Sequence, residues 1–201
     1  MTKSKLNANE KLGAIVNNAG IGLNTASSND DILNTNLYGP KRVCDNFIPL
    51  LEEKGGRIIN LGSGSGPMYV GGCSKKDQAM LCSPESMTWE QIEQHGKANV
   101  NRGVDAYGLS KALLAGYTGV LAQEYPDLWV SCCSPGFINT QMTSGWGASK
   151  GPEQGTLAIK KLLLDSLEGS GYYYGSDGIR SPYHFMRNPG EPAYDGINPF
   201  V

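Results

Sequence analysis

The 201-residue sequence has no apolar run approaching the roughly 18 residues that span a bilayer. Its opening, MTKSKLNANEK, has no apolar signal core, and Lys3 and Lys5 are too few for a targeting patch. No C-x-x-C pair occurs among the five cysteines at 44, 73, 82, 132 and 133. With an odd count and no signal sequence, they read as free thiols in a reducing compartment, and a cytoplasmic protein without a metal site is expected. Histidine is nearly absent. His95 lies in a polar stretch and is expected to face solvent, whereas His184, in SPYHFM, is expected to pack. The net charge is −2, with neither a basic stripe nor an acidic tail, so nucleic acid and membrane surfaces are poor partners. No internal repeat is visible.

Glycine, by contrast, is abundant at 27 of 201 residues, which suggests many tight turns and close backbone approaches. The stretch GAIVNNAG reads as a short strand and turn. In DDILNTNLYGPKRVCDNFIPLLEEKG, Ile32, Leu33, Leu37, Val43, Phe47, Leu50 and Leu51 have helical spacing, with Pro40 expected either to kink the helix or to mark the end of its first part, and an end at Gly55 and Gly56. Arg57 to Leu61 forms a strand running into a glycine-serine loop. Residues 67 to 105 form a polar insert without clear period, apart from one helix opened by the capping pair Thr88 and Gln91. AYGLSKALLAGYTGVLAQEYP predicts a long amphipathic helix, and LWVSCCSPG a buried strand. GPEQGTLAIKKLLLDSLEG predicts another helix and SGYYYGSDG a last strand, followed by a Pro/Gly-rich tail. This β-α-β-insert-α-β-α-β order predicts an α/β chain forming one domain over 1–201: a doubly wound parallel sheet with helices on both faces.

Tyr107 and Lys111 stand four apart on a helix and share one face. An ammonium beside a phenol stabilises phenolate, so such a pair can move a proton to or from an oxygen. With ten tyrosines and twelve lysines, one such pair also arises readily by chance on a solvated helix face. The context adds weight. NNAG, the loop holding Ser63, and SPGF each follow a strand, and in a parallel sheet such strand ends line one crevice. Ser110 in GLSKA, with Asp177 and His184 downstream, imitates a nucleophile elbow, but no strand precedes it. Met68, Tyr69, Trp89, Met142 and Trp146 either flank a substrate pocket or simply pack locally.

These words, NNAG (17–20), NTN before LYG (34–39), GS (62–63), YGLSK (107–111) and SPGFINT (134–140), resemble the classical short-chain dehydrogenases/reductases, in that family's order. The 44-residue gap between Ser63 and Tyr107 is similar to the insert of the monomeric carbonyl reductases. The resemblance implies that Tyr107 gives a proton to a substrate carbonyl oxygen and that Ser63 hydrogen-bonds the same oxygen. It further implies that Lys111 lowers the Tyr107 pKa and binds the nicotinamide ribose. Asn36 would hold a water linked to Lys111 on a locally distorted helix. Asn18, Ala19 and Gly20 would lie along the adenosine side of NADPH, and Pro135, Gly136, Ile138 and Thr140 at its nicotinamide end, with NAD left open. The implied activity is reduction of a ketone, aldehyde or quinone, a small-molecule carbonyl. The family's phosphate-binding T-G-x-x-x-G-x-G does not occur in the sequence. The expectation is therefore an N-terminally truncated, Rossmann-like sheet keeping its last four strands. The catalytic half is present and the cofactor half largely missing. The chain is then either a monomer or a protein whose partner covers the strand edge at 13–17. The alternative is an impaired fragment or interaction protein that retains the fold.

Overall fold

The computed structural model describes residues 10–103 and 105–200. Five strands form one sheet in the order β1 (Ala14–Asn17), β2 (Arg57–Leu61), β3 (Trp129–Cys133), β4 (Tyr172–Tyr174) and β5 (Arg180–Ser181). The first four are parallel, and β5 returns antiparallel to β4. The sheet thus has the four expected strands and one more, because Asp177 and Gly178 turn the chain back beside Tyr173 and Tyr174. Among the described residues β1 is an edge, with Val16 38% exposed.

The first long helical pattern divides at Asn34–Tyr38. α1 (Asn29–Leu33), capped by Ser28, passes through a π-helical segment over those five residues into α2 (Gly39–Phe47). Pro40 sits in the first turn of α2, where its missing N–H costs no helical bond. The insert is more regular than its sequence suggests. It holds α3 (Ser65–Gly71), α4 (Lys75–Leu81) and α5 (Trp89–Asn99), the last with the expected Thr88–Gln91 capping box. Ser74 caps α4 by accepting from Asp77 N at 3.2 Å. His95 is not solvent-facing: its side chain is 10% exposed and burial lowers its pKa.

α6 (Ala106–Glu124) crosses the centre of the molecule. The expected amphipathic character is absent, since every residue from Gly108 to Leu121 is buried. One side lies on the sheet, and α3 and α5 cover the other. Gly66 of α3 shows how close this packing is, because a Cβ there would stand 3.1 Å from the Ala112 nitrogen and the Lys111 carbonyl carbon. Past β3 the chain forms α7 (Pro152–Gly155) and α8 (Leu157–Leu164). Ala158 and Leu162 of α8 cover the opposite sheet face with Ile59, Leu61, Cys133 and Tyr174. Helices therefore pack on both faces, as a parallel sheet requires.

A polar thread pins the register of β1, β2 and α6. Asn17 Nδ2 donates to Asn60 Oδ1 at 2.8 Å, Asn60 Nδ2 donates to Thr118 Oγ1 at 2.9 Å, and Thr118 Oγ1 donates to the Leu114 carbonyl at 2.9 Å. All three side chains are buried. Replacing Asn60 by Leu keeps the branched outline of the side chain but leaves Asn17 Nδ2 with only the Cys44 sulfur at 3.5 Å and removes the donor to Thr118. The expected cost is about 1–3 kcal/mol, read as a lower urea midpoint with an unchanged slope.

Candidate active site

Ser63, Asn36 and the helical pair Tyr107 and Lys111 come from three different parts of the chain and meet at the C-terminal end of β2. Gly62 donates to the Cys133 carbonyl at 2.8 Å, extending the β2–β3 pairing past the strand and setting the start of the serine loop. The loop then closes on itself, with Ser65 N donating to Ser63 Oγ at 3.2 Å. Asp105 caps α6 by accepting from Tyr107 N at 3.1 Å, which starts the helix one residue before the tyrosine.

The Ser63 side chain lies near enough to the Tyr107 phenol to favour its ionised form, while its hydroxyl donates to Ser65 Oγ at 3.3 Å. One turn along the helix, Lys111 runs back toward the sheet. Its Nζ donates to the Leu61 carbonyl at 2.7 Å and lies 5.7 Å from the centroid of the Tyr107 ring. Lys111 is 6% exposed, and burial pulls its pKa down to about 8. The expected lowering of the Tyr107 pKa is not what the structure gives. Burial raises it, Ser63 opposes that rise, and the Asp105 carboxylate adds to it. Lys111 does not reverse the balance, because its ammonium turns to the Leu61 carbonyl.

Asn36 is fully buried in the π-helical segment. It clamps the turn after β1, accepting from Ile21 N at 2.9 Å and donating to the Ile21 carbonyl at 2.9 Å. Its Nδ2 also donates to Ser110 Oγ at 3.1 Å, and Ser110 Oγ donates to the Tyr107 carbonyl at 2.8 Å. Ser110 is thus one hydrogen bond removed from both Asn36 and Tyr107. Sequence reasoning weighed it only as a false nucleophile. It does sit inside a helix, and the signal that could have marked it is its place one turn from Tyr107.

Gly20 completes the cluster, since a Cβ there would lie 3.3 Å from Asn36 Oδ1 and 3.6 Å from Lys111 Nζ. Asn18 and Ala19, the preceding residues of that turn, are exposed. Beyond β3, Ser134 Oγ accepts from Gly136 N at 3.2 Å, and Gly136 takes φ +87°. Pro135 is half-buried and Ile138 is 7% exposed, while exposed Thr140 opens a short turn of helix at Gln141–Thr143. Of the pocket candidates, Trp89 packs edge-on between Tyr38 and Tyr117, away from the site. Met68 and Trp146 are exposed, and Met142 lies against the turn at Gly22. Met186 reaches Gly64, next to Ser63, from the segment after β5, a contact no sequence pattern announced. His184 packs edge-on against Tyr194 and Phe200.

A proton-bearing phenol, a second hydroxyl and a buried ammonium at parallel strand ends are a known combination, and the comparisons with known proteins agree with it. A family model described as short chain dehydrogenase matches residues 2–75. The (+)-neomenthol dehydrogenase of Arabidopsis thaliana is 30% identical over 196 residues, covering 79% of this chain and 66% of that protein.

The chain belongs to the short-chain dehydrogenase/reductase family.

Other members of the family include carbonyl reductase [NADPH] 1 of Bos taurus, 28% identical over 183 residues, with 79% of this chain and 65% of that protein covered. The structure of salutaridine reductase from Papaver somniferum superposes with a TM-score of 0.68 at 24% identity, covering 82% of this chain and 72% of that one, which establishes the shared fold. The chain spans between half and two thirds of the length of the curated relatives it matches. For a dinucleotide of the kind this family uses, the residues present suit one end. Lys111 has two ammonium protons beyond the one given to Leu61, and Gly20 leaves the cluster open to a close backbone or ligand approach. Among the described residues no strand–turn–helix unit carries the glycine pattern that takes a pyrophosphate. Among the described residues no group of three or more His, Cys, Asp or Glu could hold a metal ion, and no helix is long and apolar enough to cross a membrane.

Proposed function

We propose that this chain carries the catalytic part of an NADPH-dependent reductase that converts a ketone, aldehyde or quinone into an alcohol. The observation that carries the reading is the placing of the Ser63 side chain beside the Tyr107 phenol, with Lys111 Nζ 5.7 Å from the centroid of the same ring. NADPH, when bound, would supply the hydride. Tyr107 would then give its phenolic proton to the carbonyl oxygen while Ser63 donates a hydrogen bond to it. Two fixed donors meet the one atom where negative charge develops. The Tyr107 phenol holds its proton at neutral pH, as a general acid must. Lys111 would offer its remaining protons to the ribose hydroxyls of the nicotinamide. Asn36 would hold the Gly20–Ile21 turn against the helix bearing Tyr107, and a water on Asn36 could link Lys111 to solvent. Pro135, Gly136, Ile138 and Thr140 would shape the nicotinamide end, and Asn18, Ala19 and Gly20 the adenosine side. NADPH is preferred to NADH because the bovine relative is named for it. Five free thiols suit a reducing, cytoplasmic setting.

The test is NADPH consumption by the purified chain with a simple quinone or aromatic aldehyde, wild type against Tyr107→Phe. Turnover that disappears in the variant supports the reading. A folded wild type with no turnover favours the second reading, an interaction protein, for which the edge position of β1 and exposed Val16 speak. The pH profile is a second check. Lys111 is charged below about 8 and neutral above it, while the Tyr107 phenol stays protonated. The reduction rate is therefore expected to hold level at neutral pH and to fall as pH rises through about 8. A rate that climbs through that range would contradict the assigned role of Lys111.

A further inference from the structure

A second site lies elsewhere in the fold. A cavity of about 400 Å³ opens between the C-terminal half of α6, the loop ahead of β4 and the segment after β5, and none of Ser63, Tyr107 and Lys111 lines it. Its charged anchor is Arg180, the first residue of β5. The guanidinium carbon lies 3.7 Å from the centroid of the Tyr172 ring and 5.5 Å from that of Tyr194. Tyr194 is itself tied to the strand by donating its backbone N–H to the Arg180 carbonyl at 3.1 Å. The guanidinium groups of Arg42, Arg57 and Arg187 each donate to an oxygen. Among the described residues none accepts from the Arg180 guanidinium, and no carboxylate pairs with it.

A guanidinium stacked on a ring can take further partners only in its own plane, where its N–H groups form a fork matched to a carboxylate. Gly196 packs close to the same guanidinium, and any side chain there would crowd the fork, since a Cβ would come within 3.2 Å of Nη1 and 3.3 Å of Nη2. The walls around the fork are largely aromatic and apolar, with Tyr172, Tyr183 and Pro84 among them. The volume suits a small molecule. Exposed Glu85 also lines the cavity, and its charge disfavours ligands with several negative groups. We propose that this cavity binds a small aromatic monocarboxylate, held by Arg180 through its carboxylate and by the tyrosines through its ring.

The test is titration of the full chain with benzoate, followed by NMR, with benzamide as the neutral analogue of the same shape. Benzoate is expected to saturate and to shift the Tyr172 and Tyr194 ring signals. Benzamide should bind at least about tenfold more weakly, as should benzoate to Arg180→Met, and Arg180→Lys should fall between because it keeps the charge without the fork. Equal binding of the two probes, shifts confined to other residues, or no saturation with benzoate would overturn the proposal. So would undiminished benzoate affinity in folded Arg180→Met. If that variant does not fold, the comparison of the two probes on the wild type decides.

Discussion

Tyr107→Phe is expected to lower carbonyl reduction by about 10²–10⁴-fold while leaving the fold unchanged. The substitution removes one hydroxyl, and a positioned general acid contributes a factor of that order. The ring stays, so its contact with Lys111 and its place on α6 survive. The loss should fall on kcat, because the proton moves only as charge appears on the carbonyl oxygen. Ser63→Ala should cost about 10²–10³-fold, the usual worth of one fixed donor to such an oxygen. The two donors serve one atom, so the double variant should lose less than the product of the separate losses. Steady-state kinetics on the three variants checks this. A Tyr107→Phe protein retaining most of its turnover would remove the basis of the proposed chemistry.

Arg187→Met should destabilise the folded chain by about 3 kcal/mol. Arg187 is 6% exposed, and its guanidinium donates to Asp177 Oδ1 and to the carbonyls of Asn188 and Glu191. Breaking a buried pair costs roughly 3–5 kcal/mol because the partner's charge stays behind. Asp177 keeps about a quarter of its side chain exposed, which places the expectation at the low end. Burial raises the Asp177 pKa, but hydrogen bonds from Arg187 and Ile179 outweigh it and the net direction is down. The pair's contribution is therefore complete above about 3.9, the free carboxylate value, and is lost as pH falls through the lower folded value. Denaturant curves at neutral pH and near pH 3 should show the gap between variant and wild type narrowing in acid. The neighbouring Met186 leans on Gly64, so the variant should also disturb substrate affinity more than the chemical step.

The legible parts of this fold were those where one side-chain pattern met one environment. Arg57 to Leu61 and the run LWVSCCSPG are short apolar stretches buried between two helical layers; the structure gives the first those bounds and forms the second strand over Trp129–Cys133. The insert was harder. Its helices α3 and α4 are seven residues each, too short to show a period, and α3 is held by close contact with α6 rather than by an apolar stripe. The burial of α6 on all sides was hidden because small residues, Ala112, Ala115, Gly116 and Gly119, occupy positions that a polarity pattern reads as neutral. The grouping of Ser63, Tyr107, Lys111 and Asn36 could be anticipated from strand ends and from family words. The sign of the Tyr107 pKa could not, because it depends on how deeply the phenol is enclosed and on where the Lys111 ammonium points. Arg180 gave no sequence signal, since its stacking on Tyr172 needs the reversal of the chain between β4 and β5.

The enclosure of α6 has a consequence for how such a protein can diversify. From Gly108 to Leu121 each side chain touches protein, so new bulk there has to be absorbed by repacking of whole layers. Adaptation to a different molecule is therefore channelled to the rim. Phe137, Trp146, Phe185 and Met186 are exposed there and can be exchanged without disturbing the helix that carries Tyr107 and Lys111. A mutational scan should find tolerance at these exposed positions and intolerance from Gly108 to Leu121.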